Sequence, residues 1–208
     1  MEFDVCKLEK AVNGRARFFL RHLEAIRSLL PPEEVRFLLE DPVEFTSKSC
    51  FFRGLTREKV AQCLQTGLML PQYGQMNSHA VFETDSPYLA LIHATGHLSA
   101  LAVVDPDKVD PLTPLVQPGT PAYAALAGQG CKVCGKPGCH KAACFEAQNY
   151  VDTISMSTIG HAWHNIELRK PQPLSGVRCF SVEQRDFCVL LDPADPDHRQ
   201  KLHRLYLC

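Results

Sequence analysis

Long apolar runs are missing from this chain of 208 residues. No stretch reaches the ~18 consecutive apolar residues that a membrane helix needs, so no membrane span and no membrane partner are expected. The segment from Met1 to Phe19 carries Glu2 and Asp4 early and has no uninterrupted apolar core, so it does not read as a secretory signal. An excess of one charge is missing too: Lys and Arg number 22 against 23 Asp and Glu, a formal net charge of −1. That balance argues against holding duplex nucleic acid or a membrane surface by bulk charge, while leaving room for a small basic pocket. Neither internal repeats nor the common catalytic signatures occur. There is no Gly-rich phosphate loop, no G-x-S-x-G elbow and no H-E-x-x-H helix, and no local signature selects a Cys–His protease pair. The remaining composition, 45% apolar and 22% charged, is that of a globular domain and excludes a disordered tail or a coiled coil.

Cysteine and proline are plentiful, at 10 and 15. With no signal expected, the chain belongs in a reducing cytosol, its own or that of a cell into which it is delivered without a signal peptide. Cysteines there read as thiols or metal ligands, not as a disulfide framework.

The pattern along the chain is mixed. From Val5 to Leu30 apolar residues recur at threes and fours, the period of a helix with one buried face, interrupted by the turn dipeptide Asn13-Gly14. Pro31-Pro32 ends that helix and opens another, with Glu33 and Glu34 at its positive end. Residues 1–48 therefore read as a helical cap and 49–208 as the main domain. Cys50-Phe51-Phe52 predicts a strand ending in Arg53-Gly54, followed by a helix from Thr56 with Gly67 as its stop. His79 to Glu83 predicts a second strand. Thr84-Asp85-Ser86-Pro87 caps the next helix, and Leu98 to Val104 predicts a third strand. Residues 107–145 read as an inserted loop. Further strands are expected at His164–Leu168, Val177–Val182 and Phe187–Leu191, with a last helix from Pro196 to Leu207. The expected class is α+β.

Inside the insertion, Cys131, Cys134, Cys139 and Cys144 stand as C-x2-C-x4-C-x4-C, with His140 beside the third. A tetrahedral zinc takes four such ligands at ~2.3 Å, and a two-residue gap lets one turn offer two thiolates to one metal. Gly135 and Gly138 permit the turns, and Lys132 and Lys136 favour the thiolates. Four cysteines close the coordination sphere, so the zinc is expected to be structural. His140 in place of Cys139 is the alternative ligand. Cys50, Cys63, Cys179 and Cys188 fall at apolar positions and read as small hydrophobes, while Cys6 and Cys208 lie near the termini without an assigned role.

Three segments then stand in a suggestive order: Phe51-Phe52-Arg53-Gly54, a helix running into Thr66-Gly67-Leu68, and Val81-Phe82-Glu83-Thr84-Asp85-Ser86-Pro87. Over residues 51–105 this order resembles the NAD-binding half of the ADP-ribosyltransferase superfamily. Phe52-Arg53-Gly54 matches an aromatic-His-Gly motif with Arg53 in the histidine position, and Val81-Phe82 with Thr84-Asp85-Ser86 matches an Ile-Tyr-Phe-x-Asp-Ser motif. Arginine at the first position is the habit of the superfamily's arginine branch. The resemblance implies a split β-sheet core and NAD as co-substrate. It implies Arg53 and Gly54 on the cofactor, with Arg53 bonding a diphosphate or ribose oxygen through its fork of donors. Phe82 would stack on nicotinamide, and Thr84 and Ser86 would bond its ribose. It also calls for a late carboxylate to stabilise the oxocarbenium ion. Glu167, in Asn165-Ile166-Glu167-Leu168-Arg169-Lys170-Pro171, fits best; Glu183 is the rival and Glu146 comes too early. Each residue has a plainer reading: Arg53 a strand-end cation, Phe82 core, Thr84 and Ser86 caps, Glu167 a solvated strand residue. Ser155-Met156-Ser157-Thr158 reads as a loop or cap, and His161 and His164 beside Trp163, the single tryptophan, have no fixed role.

The function this implies is mono-ADP-ribosyl transfer to a protein side chain by a monomeric toxin or effector. The letters Arg, Phe and Glu also resemble an atypical bacterial effector family that modifies threonine of ubiquitin, which makes ubiquitin a candidate partner. A nucleic-acid-directed transferase is the second reading, disfavoured by few cations and no aromatic before Phe145 near the cysteines. A non-enzymatic zinc adaptor is the third. NAD binding separates the enzymes from the adaptor, and resistance of labelling to nucleases separates protein from nucleic-acid acceptors.

Overall fold

The computed structural model describes residues 2–70, 72–73, 79–108, 150–156, 161–168 and 171–208, and the backbone alone at 72–73, 79–80, 82, 150–156 and 161–168. The fold is α+β, built on an antiparallel sheet.

Three helices come first. α1 (Val5–Val12) starts on Asp4, whose carboxylate accepts from Lys7 N–H at 3.0 Å. It ends where Asn13 and Gly14 take φ of 44° and 83°, the left-handed conformation that Asn and Gly adopt most readily. α2 (Ala16–Ile26) and α3 (Pro32–Glu40) follow, with the proline at the first turn of α3. Glu34 does more than complement a dipole. It is buried, and its carboxylate accepts from Ser47 Oγ at 2.6 Å, Ser49 Oγ at 3.0 Å and Lys48 N–H at 3.1 Å, tying α3 to the chain entering the sheet.

The strands and later helices are β1 (Phe51–Leu55), α4 (Arg57–Thr66), β2 (Leu68–Met69), β3 (Gln72–Tyr73), β4 (His79–Thr84), α5 (Pro87–His93) and β5 (Ala100–Val104). After these come β6 (Tyr150–Met156), β7 (His161–Leu168), β8 (Gln172–Pro173), β9 (Val177–Gln184), β10 (Phe187–Leu191) and α6 (Pro196–Tyr206). The main sheet runs β10-β9-β5-β1-β4-β7-β6, with β3 beside β4, and β2 pairs with β8 apart from it.

Helices cover both faces. On one, Leu8, Phe19, Leu23, Ile26 and Leu38 share a core with Phe52, Leu101, Val103, Cys179 and α5. On the other, Val60, Cys63 and Leu64 of α4 and Leu202 and Tyr206 of α6 pack on Leu55, Val81, Ala102, Phe180 and Val182. β5 is buried at every residue because its alternate side chains feed the two cores, which is why it reads as an unbroken apolar run. The N-terminal helices thus bury a face of the sheet and complete its core.

Several expectations need correction. β1 runs on to Leu55, so Arg53 lies in mid-strand, and β7 begins at His161, so Trp163 and both flanking histidines belong to a strand. Ser155 and Met156 belong to β6, paired with Ala162 and His161, and not to a loop; 157 and 158 lie outside the described residues.

Candidate functional site

The sheet has a seam. β5 pairs with β1 along its whole length, and β4 pairs with β7 from Val81 to Thr84, yet β1 and β4 share a single rung, Phe52 opposite Thr84. Extending that register would set Arg53 against Glu83, but the ladder stops there. The two strand edges beyond the rung, 53–55 and 81–83, do not hold one another.

Two ionisable side chains flank this seam. Arg53 is 6% exposed and Glu83 1% exposed. Among the described residues neither Glu83 oxygen has a hydrogen-bond partner, and Arg53 Nη1 has none. Burial pushes the Glu83 carboxyl up to about 7, with the Arg53 guanidinium opposing the rise. Burial also lowers Arg53, against the pull of Glu83. Native interiors leave few polar atoms unpaired, and an unpaired ionisable group is the most costly kind. Lys59 on α4 is lowered by burial and then by Arg53, so a second cation lies within electrostatic reach of Arg53.

Around the seam the sequence candidates divide. Thr84 Oγ1 accepts from Ser86 N–H at 3.1 Å, and Ser86 Oγ accepts from Leu89 N–H at 3.2 Å, so both hydroxyls build the start of α5. Gly54 serves packing. A Cβ there would overlap the Ala90 carbonyl oxygen and lie 2.7 Å from Ala94 N, so only glycine lets α5 lie this close to β1. Phe82 stands directly across from Glu167 in the β4–β7 register, and Thr84 across from Asn165. Arg53, Phe82 and Glu167 are therefore brought to three consecutive strands. They do not share one register parity: continuing the rung pairs Arg53 with Glu83, the neighbour of Phe82 along β4. The rival carboxylate lies elsewhere. Glu183 is on β9, separated from β4 by β5 and β1, and is ion-paired with Arg21.

Glu83 and Lys59 are the residues that sequence reasoning passed over. The signal for Glu83 was present, since it shares the alternation of Val81, a core position, and an acid there demands a partner.

Cys131, Cys134, Cys139, Cys144, His140 and Glu146 lie outside the described residues. Among the described residues no group of three or more His, Cys, Asp or Glu side chains is placed to hold a metal. Cys50, Cys63 and Cys179 are buried free thiols, Cys188 is half-buried, and Cys6 and Cys208 are exposed. No helix among the described residues is long and apolar enough to cross a membrane. No family model, curated protein or solved structure matches the chain.

Proposed function

We propose that this protein is a mono-ADP-ribosyltransferase that moves ADP-ribose from NAD to a protein side chain. The observation that carries the reading is the placement of Phe82 and Glu167 as direct register partners, on strands next to β1, although Arg53 takes the register parity of Glu83 and not theirs. In the reaction the bond between ribose C1′ and the nicotinamide nitrogen breaks, and nicotinamide leaves as a neutral molecule. An acceptor hydroxyl oxygen bonds to C1′ and gives its proton to a carboxylate, here Glu167, which also stabilises the positive charge that develops on the ribose. Arg53 and Lys59 supply the positive charge that a dinucleotide requires. The acceptor fitting a hydroxyl attack includes threonine, and ubiquitin is the first protein to try. Cys131, Cys134, Cys139 and Cys144 are proposed to hold a structural zinc, which metal analysis of protein purified without chelator tests by its stoichiometry.

The test is incubation with labelled NAD, a cell lysate and purified ubiquitin. Labelling that resists nucleases is expected from the wild type. Glu167→Gln should lower it by about 100-fold or more at an unchanged melting temperature. Undiminished labelling by a folded Glu167→Gln protein overturns the mechanism.

A further inference from the structure

β10 (Phe187–Leu191) is an end strand of the main sheet, and among the described residues only β9 pairs with it. The register fixes which backbone groups are left over. Phe187 faces Gln184 across the two-residue turn Arg185-Asp186, so its N–H and C=O point to β9, and those of Val189 and Leu191 follow by alternation. The N–H and C=O groups of Cys188 and Leu190 point outward, where they have no backbone partner among the described residues. Natural sheet edges are blunted by charge, proline or a bulge. β10 has none of these: it reads Phe-Cys-Val-Leu-Leu, and its ladder with β9 is regular throughout. Phe187 is 57% exposed and Cys188, Val189 and Leu190 are half-buried, so the edge is open to solvent. Outward donors and acceptors between apolar side chains call for another strand.

We propose that this strand is β10 of a second copy, paired antiparallel about a two-fold axis at Val189, so that the protein is a dimer in place of the monomer that the resemblance implies. About that axis Cys188 lies opposite Leu190 of the second copy, and the two exchange both N–H···O bonds at each of two symmetric rungs. Phe187 lies opposite Leu191 of the second copy, so every rung sets apolar on apolar and the half-buried side chains lose their remaining water. Charge favours the same direction. α6 returns beside β10, held near its start where Asp192 N–H donates to His198 Nδ1 at 3.3 Å. It carries Asp195 and Asp197 at its beginning and Arg204 in its last turn. An antiparallel pair turns the acidic beginning of one α6 towards the basic end of the other, whereas a parallel pair would set like beside like. Pairing β10 with β6, the other end strand, would repeat without closing, while β10 with itself closes at two copies. The inference does not depend on the NAD reading.

The test is sedimentation equilibrium of the full chain under reducing conditions, from low micromolar to near-millimolar concentration, with amide hydrogen exchange followed at both ends of that range. The mass is expected to rise from 23.2 kDa to twice that value. The Cys188 and Leu190 amides should exchange about tenfold or more slowly in the dimer. Leu190→Pro removes an outward N–H that the β9 ladder does not use, and the folded variant should dimerise about tenfold or more weakly. Asp197→Arg, at an exposed site, should weaken dimerisation about threefold at low salt, and adding Arg204→Asp should restore it. A single-chain mass throughout, growth beyond two chains, or dimerisation without protection of the two amides overturns the proposal. So does a folded Leu190→Pro protein that dimerises like the wild type. Should that variant lack a cooperative melting transition, the charge pair decides alone, and a dimer indifferent to Asp197→Arg overturns the proposal.

Discussion

Burial holds the Glu83 carboxyl at about 7 against an ordinary value of 4.5, despite the guanidinium beside it. The folded chain therefore favours the neutral acid. Below the unfolded value of 4.5 the acid is neutral whether or not the chain is folded, and its contribution to stability is complete. As pH rises through the folded value of about 7, that contribution is lost. Glu83→Gln, neutral throughout, should melt level with the wild type near pH 4 and be more stable near pH 8 by about 1–3 kcal/mol. Melting curves across that range check this, and a difference that does not change with pH refutes it. His22 works in the opposite direction. Burial, then Arg21 and Arg15, lower it to about 3, so the buried ring stays neutral with Nδ1 2.9 Å from Ser181 Oγ. Its share of stability is present above 6.5 and declines as pH falls towards 3.

Among the elements, the contact of β1 with α5 is the least forgiving. Gly54 lies against the α5 backbone, at the Ala90 carbonyl and Ala94 N, and backbone cannot rotate aside as a side chain can. Gly54→Ala is expected to destabilise the fold by about 2–3 kcal/mol or more, through overpacking alone. Chemical denaturation gives the number, and a loss below about 0.5 kcal/mol would show that α5 can move away from β1. Much at this scale was legible beforehand. Asn13-Gly14, Pro31-Pro32, Gly67 and Ser86-Pro87 mark element ends at the positions observed, because caps and turns depend on local chemistry. β6 was not legible. Its ladder is made entirely by β7, a partner that nothing in its own residues announces.

For the molecule as a whole, the helices of residues 1–48 are part of the folding unit. Phe19, Leu23 and Ile26 of α2 and Leu38 of α3 are in the same core as Phe52, Leu101 and Val103. A chain starting at residue 49 would expose one face of the sheet to water, at about 25 cal/mol for each Å² of apolar surface uncovered. It is expected to be insoluble or to lack a cooperative melting transition. A soluble 49–208 protein that melts cooperatively would instead establish the cap as a separate unit.

The sequence by itself determined where helices begin and end, the α+β class, and the arginine, aromatic and glutamate positions worth testing. The helix ends and the class follow from interactions a few residues apart and from the period of apolar side chains, whereas the three positions come only from the family resemblance. Tertiary structure alone decided that β1 and β4 meet at one rung, that Gly54 lies against the α5 backbone, and that Glu83 is buried beside Arg53. The physical reason is distance along the chain. Residue 53 comes near residue 83 only because β1 and β4, far apart in the chain, become neighbours in the sheet, and whether a buried charge finds a partner depends on such pairings.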